Sequence, residues 1–119
     1  MELNEESVNV PYNLGRLFAV LEHIQEEANP GINATIKDKY FNAAAATPAH
    51  IFPLLVSLAQ KHLRKLNEGS RITFNRKLEE IMSKLGEEYP ARLTMPQQGS
   101  FHLGYYHQTQ KRYEKKEDK

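Results

Sequence analysis

Pro11-Tyr12-Asn13-Leu14-Gly15-Arg16-Leu17-Phe18-Ala19-Val20-Leu21-Glu22-His23-Ile24-Gln25-Glu26-Glu27-Ala28-Asn29-Pro30-Gly31 is the stretch whose pattern decides the fold class. Pro11 suits the first turn of a helix, where its missing N–H leaves no bond unmade. Leu14, Leu17, Phe18, Leu21, Ile24 and Ala28 then recur at steps of three and four, an apolar stripe along one side of a helix. Asn29-Pro30-Gly31 stops it.

Four more helices follow from the same pattern. Upstream, residues 1–10 are polar and lack helical periodicity, and are expected as a flexible arm. Downstream, a short helix is expected over Ala34–Ala45, with Ile36, Tyr40, Phe41 and Ala44 inward and the tetra-alanine at Ala43–Ala46 packed closely against a neighbour. Thr47-Pro48 is a helix start, a capping hydroxyl before a first-turn proline. The third helix carries Ile51, Phe52, Leu55, Leu58, Ala59, Leu63 and Leu66 and is expected to bend at Pro53 and end at Gly69. A fourth is expected from Ile72 to Glu87 with Leu78, Ile81, Met82 and Leu85 inward, closed by Tyr89-Pro90. A fifth starts near Pro96, continues past Tyr113 and leads into a charged tail over 111–119. No β-alternation of useful length and no internal repeat occurs. The expected architecture is a single all-α domain over residues 1–119, a compact bundle of about five helices.

Composition removes several function classes. The chain has 119 residues, 39% hydrophobic and 26% charged, enough apolar material for one modest core. It contains no Cys, which excludes disulfides, thiolate metal sites and cysteine nucleophiles. No apolar run approaches a membrane span, and no charged-then-apolar signal follows Met1, so the expected location is cytoplasmic with no membrane partner. Neither a phosphate-loop pattern nor G-x-G-x-x-G is present. His102 and His107 are five apart and diverge around a helix, a poor metal pair, while Glu26-Glu27, Glu79-Glu80 and Glu87-Glu88 point about 100° apart. The expectation is no catalytic residue, no metal, no cofactor and no small-molecule substrate. The chain is not expected to be an enzyme.

Charge distribution is more informative than its sum of +1. Residues 1–30 carry six glutamates against Arg16, a balance of −5, and residues 61–77 carry six cations against Glu68, a balance of +5. Lys61, Arg64 and Lys65 share one face of the third helix and sit at its C-terminus, where the helix dipole favours cations. The dipole does not account for Arg71, Arg76 and Lys77 at the start of the next helix, although Glu79 and Glu80 have the spacing to neutralise Arg76 in part. These six therefore form the expected polyanion-binding surface, which Lys37, Lys39, Lys111 and Arg112 could extend. Conversely, Glu22, Glu26 and Glu27 lie at the end of the first helix, where the dipole disfavours anions and Glu22 repels Glu26. They are expected to meet a basic surface on a neighbouring subunit or on a second copy. On the fifth helix, Phe101, Tyr105, Tyr106 and Tyr113 stand among four glutamines, and Gly104 would let another backbone approach. Core and subunit contact is the expected role of Phe101, Tyr105 and Tyr106, ahead of base stacking.

Four blocks in order resemble the C-terminal region of the large subunit of type I-C CRISPR Cascade complexes. They are Asn13-Leu14-Gly15-Arg16-Leu17-Phe18-Ala19-Val20-Leu21-Glu22, Asn33-Ala34-Thr35-Ile36-Lys37-Asp38-Lys39-Tyr40-Phe41, Ala46-Thr47-Pro48, and Gln98-Gly99-Ser100-Phe101-His102-Leu103-Gly104-Tyr105-Tyr106-His107-Gln108. In that family the region is also made separately, from an internal start, as the small subunit, and a chain that begins at Met1 with only this region looks like it. The resemblance implies a helical bundle present in more than one copy in an RNA-guided surveillance complex, beside the large subunit, the backbone subunits, guide RNA and target DNA. It implies contact with the nucleic acid of the R-loop and no nuclease activity, since a separate helicase-nuclease cuts the target. Lys37, Lys39 and Arg16 enter the expected phosphate-binding set through the family blocks. A purely structural adaptor, bridging subunits without touching nucleic acid, is the rival expectation.

Overall fold

The computed structural model describes residues 2–117, and side chains are described through residue 113. Five helices follow in order, α1 Val10–Ala28, α2 Ile36–Ala46, α3 Pro48–Leu63, α4 Glu68–Met82 and α5 Met95–Glu117, with no strand among the described residues. The expected all-α bundle is therefore the observed one. The charged tail over 111–119 continues α5 to residue 117, and residues 118 and 119 lie outside the described residues.

Local chemistry explains most boundaries. Asn9 caps α1, its side chain accepting from the Tyr12 amide. α2 begins at Ile36 rather than Ala34, because Thr35 and Asp38 form a reciprocal capping box around the first turn. Thr47 precedes α3 as expected, but its hydroxyl makes no cap there. It donates instead to the Ala43 carbonyl, 3.0 Å away, and closes α2. The largest departure is at Gly69. It lies inside α4, which starts four residues earlier than Ile72 because Asn67 accepts from the Ser70 amide at 2.8 Å and nucleates the first turn. α3 has by then ended at Leu63, and α4 ends at Met82 rather than Glu87. Gly86, at φ +84°, then turns the chain so that Leu85 and Leu93 pack inward.

α1 is the axis of the bundle. Every residue from Pro11 to Glu22 is buried, so its apolar stripe is only part of a helix enclosed on all sides. Phe18 of α1 meets Phe41 of α2, Phe52 of α3, and Phe101 and Tyr105 of α5 at ring-centroid distances of 5.3 to 6.4 Å, each nearly edge-on. Such pairs add about 0.5–1.5 kcal/mol each beyond area burial. α4 joins through Phe74, whose ring meets His23 edge-on at 4.9 Å. The long α4–α5 connection is stitched down by the Ala49 amide donating to Pro90, the Leu93 amide donating to Ala46, and Tyr89 stacked on Phe52.

Against α5, α1 presents a glycine. A Cβ on Gly15 would overlap the Phe101 carbonyl oxygen and lie 2.7 Å from the Tyr105 amide nitrogen. A Cβ on Gly104 would overlap the Tyr12 carbonyl oxygen and lie 2.8 Å from its carbon. The two backbones touch at a pair of reciprocal glycines. Residues 2–9, expected as a flexible arm, bond to the same crossing: the Asn4 amide donates to the Tyr12 hydroxyl, and Asn13 Nδ2 donates to the Ser7 carbonyl.

Gly15→Ala and Gly104→Ala should each destabilise by about 3 kcal/mol, since backbone cannot yield as a side-chain end does. Gly99→Ala, whose Cβ meets nothing within 4 Å on the same helix, should gain about 0.5–1 kcal/mol from helix propensity. Thermal denaturation of the three variants checks both signs.

Candidate nucleic-acid interface

Of the six cations of residues 61–77, Lys61 lies in the last turn of α3, Arg64 and Lys65 in the turn over 64–67, and Arg71, Arg76 and Lys77 in α4. Because α3 ends at Leu63, Arg64 and Lys65 do not extend one helix face from Lys61 as expected. Lys61, Arg64, Lys65 and Arg76 are exposed, and Arg71 is half-buried with Nη1 donating to the Leu66 carbonyl at 2.7 Å. Lys65 Nζ donates to Asn29 Oδ1 at 3.4 Å, which ties this corner to the end of α1. Among the described residues, no carboxylate lies within ion-pairing distance of Lys61, Arg64, Lys65, Arg71 or Arg76. His62 is held below its ordinary pKa by burial and by Lys65, so it stands in this corner uncharged at neutral pH. Lys77 points elsewhere. Its ammonium sits 5.7 Å over the Phe74 ring and it lines a cavity of about 110 Å³ between α1, α4 and α5.

The family-derived additions divide. Lys39 is exposed on α2, and Lys37 Nζ lies 5.1 Å over the Tyr105 ring. Arg16 does not belong to the surface. It is 1% exposed, with Nη2 bonded to Glu80 Oε1 at 2.7 Å, Nε to Gln108 and Nη1 to Asn13, so α1, α4 and α5 are pinned at one guanidinium. Glu80 is thereby diverted from Arg76, which helical spacing had offered it, to Arg16 and Lys84. Burial opposes ionisation of Glu80, but the hydrogen bonds and positive charges of Arg16 and Lys84 together outweigh it and hold the carboxyl below its ordinary range.

The acidic end of α1 likewise turns inward. Glu22 is 8% exposed and accepts from the Tyr105 hydroxyl at 2.5 Å and from the Thr35 hydroxyl at 2.8 Å. Burial, together with this carboxylate, raises the Tyr105 pKa well above its ordinary value. Glu26 pairs with Arg112 of α5 at 2.7 Å. Only Glu27 remains outward, beside His23 at 3.7 Å. An outward acidic face was expected because helix dipole and repulsion gave these carboxylates no local rationale. Their rationale is tertiary, in partners 13 and 86 residues away. The aromatic set is also split: Phe101 and Tyr105 are core, at 0% and 9% exposed, and Tyr106 is 59% exposed. Gly15, Asn13 and Gln108 stand in the family blocks of the sequence, but nothing there showed that Gly15 meets the α5 backbone or that Asn13 and Gln108 bond to Arg16.

The sequence profile of the family described as CRISPR-associated protein (Cas_Csd1) matches residues 1–113. The chain belongs to the Cas_Csd1 family. No curated protein matches it. Membership supports a role within a multi-subunit, Cascade-type CRISPR complex. In this Cas_Csd1 chain no described helix is long and apolar enough to cross a membrane. Nor do any three described His, Asp or Glu side chains gather in a way that could hold a metal ion.

The Arg16–Glu80 pair has a pH signature. A carboxyl whose folded pKa is depressed contributes stability above its unfolded pKa, about 4.3, and that contribution is lost as pH falls through the folded value. Glu80→Gln should therefore lower the Tm at pH 7, and the gap to the parent chain should close as pH drops below about 4. Calorimetric scans from pH 3 to 8 check it.

Proposed function

We propose that this Cas_Csd1 chain is the non-catalytic small subunit of a type I-C Cascade complex in the cytoplasm, contacting nucleic-acid backbone and stabilising the R-loop. The observation that carries this reading is the run of Lys61, Arg64, Lys65, Arg71 and Arg76 from the end of α3 through the turn into α4, none with a carboxylate in ion-pairing distance among the described residues. Elsewhere on the bundle Arg16, Lys84 and Arg112 each hold a carboxylate. Arg71 and Lys65 bond only to neutral groups, the Leu66 carbonyl and Asn29 Oδ1, so among the described residues these five cations neutralise no carboxylate. They suit phosphates, which attract lysine and arginine without regard to base sequence.

That lack of sequence preference fits the proposed place in the complex. Where guide–target pairing supplies specificity, a supporting subunit needs only to recognise backbone. The partners of the reading are guide RNA, target DNA, the large and backbone subunits, and a further copy of the chain. Glu22 is buried against Thr35 and Tyr105 and is not free for contact between copies, whereas Glu26, paired with Arg112, stays 34% exposed. Glu27 and exposed Tyr106 keep surface positions.

Lys61→Glu with Lys65→Glu should weaken binding of a single-stranded oligonucleotide and reduce the slope of log K against log[salt] by about 1.4, from two lost phosphate contacts. Both side chains are exposed, so the Tm should hold within about 0.5 kcal/mol of stability. A titration series between 50 and about 300 mM salt measures the slope. Unchanged affinity and slope in the assembled complex would assign the corner to protein contact and favour a structural adaptor.

A further inference from the structure

Asn29, the residue that closes α1, carries a side-chain amide whose orientation is fixed from two sides. Its Nδ2 donates to the Gln25 carbonyl at 3.3 Å, and a carbonyl can only accept. Its Oδ1 accepts from Lys65 Nζ at 3.4 Å, and an ammonium can only donate. The same Nδ2 lies 3.3 Å from His62 Nδ1. An amide nitrogen is a donor, so His62 Nδ1 is the acceptor there and the ring proton sits on Nε2. Nε2 has no protein partner among the described residues and reaches solvent.

The ring therefore stands at the α3–α4 corner as a neutral donor, with Lys61, Arg64 and Lys65 close to it in the chain. Lys65 is the charged neighbour that acts on it, and what faces it from α1 is the neutral Asn29 amide. α3 also packs on α2, but no group of α2 bonds to the ring, and no carboxylate pairs with it among the described residues. Protonation at Nδ1 would set its N–H against the Nδ2 hydrogens, so the amide would have to turn. Turning gives up the Nδ2 bond to Gln25, whose carbonyl keeps the Asn29 backbone amide at 3.0 Å. It also gives up the bond from Lys65, which is the bond that holds the amide in place. A phosphate removes that hold: it draws the ammonium away from Oδ1 and neutralises the charge that opposes a second cation beside it.

We infer that His62 is a proton-linked member of the phosphate site at the α3–α4 corner. A phosphate that takes Lys65 from Asn29 frees the amide to turn, and Oδ1 then accepts from Nδ1–H. The ring, charged by a proton from the solvent, donates Nε2–H to the same phosphate. The inference rests on the proposed nucleic-acid function and adds a contact that pH controls. Lysine and arginine stay charged throughout the neutral range, so the other cations of the corner supply no such dependence. Phosphate binding and proton uptake strengthen each other by the same factor.

The full chain, alone and in the assembled complex, is titrated with a 20-nucleotide oligodeoxythymidylate from about pH 5.5 to 8.5. The parent chain should bind more tightly as pH falls. Its slope of log K against log[salt] should be about 0.7 steeper at the acid end, from one further phosphate contact on a single strand. His62→Gln, which keeps a neutral donor, should lose the steeper slope, and the difference between the two chains separates His62 from the other four histidines. In nuclear magnetic resonance spectra of the parent, the His62 ring should titrate at higher pH with the oligonucleotide bound than without it. Asn29→Asp, whose carboxylate accepts from Lys65 and from Nδ1–H without turning, should raise the His62 titration in the free chain and shrink its shift on binding. An unmoved His62 titration on binding, with His62→Gln following the parent across the pH range, overturns the linkage and leaves the phosphate reading of the corner standing. A shift that persists in full in Asn29→Asp overturns the turn of the amide as its cause. No binding by the parent chain in either state overturns both readings. Thermal melts confirm that the variants remain folded, and the ring titration of the parent needs no variant.

Discussion

The contact of α1 with α5 through Gly15 and Gly104 is the constraint on which the remaining packing depends. Each glycine accepts the other helix's backbone where a Cβ would collide with a carbonyl oxygen. Because the approach is reciprocal, it sets both the depth and the register of the crossing. From that register, Phe101 and Tyr105 meet Phe18, Tyr105 reaches Glu22, Gln108 reaches Arg16, and His107 comes within 2.8 Å of the Tyr12 hydroxyl. A displacement of α5 by one residue would rotate all of these about 100° away from their partners.

With α1 enclosed on every side, its polar residues had to find partners within the protein. Asn13, Arg16, Glu22 and Glu26 do so, each toward a different neighbour. A buried charge left alone would cost several kcal/mol, so these pairings are conditions of the fold more than additions to it. Their effect on function is indirect. By engaging Glu80, which helical spacing offered to Arg76, the Arg16 and Lys84 pairs leave Arg76 without an ion pair among the described residues. The charge asymmetry of the sequence survives in the folded protein: of the acids in its negative pole, Glu22 is buried and Glu26 is paired with Arg112, while Glu2, Glu5, Glu6 and Glu27 stay exposed.

How much was legible can be judged from particular residues. The stripe from Leu14 to Ala28 identified α1 because helical periodicity is a local property, and Asn29-Pro30-Gly31 ended it for the same reason. Gly69 misled because glycine is more common after a helix than inside one, and the capping strength of Asn67 outweighed that tendency. Thr47 was placed correctly but assigned to the wrong helix, since its hydroxyl reaches either the turn ahead or the carbonyl behind. Arg16 and Glu22 were placed outside because single charges in a sequence carry no sign of the partner that buries them.

Periodicity, breakers and composition were enough to establish an all-α bundle of about five helices and the basic segment over 61–77, and the family came separately, from the resemblance of four residue blocks. These are properties of short windows or of sums over the chain. Which charges face water, which aromatics are core, and which glycines carry a helix crossing were decided only by tertiary packing. The deciding contacts join positions such as Arg16 and Glu80, or Gly15 and Phe101, that no local pattern connects. The physical reason is that burial and pairing energies depend on the partner's place in space, which helical register constrains but does not reveal.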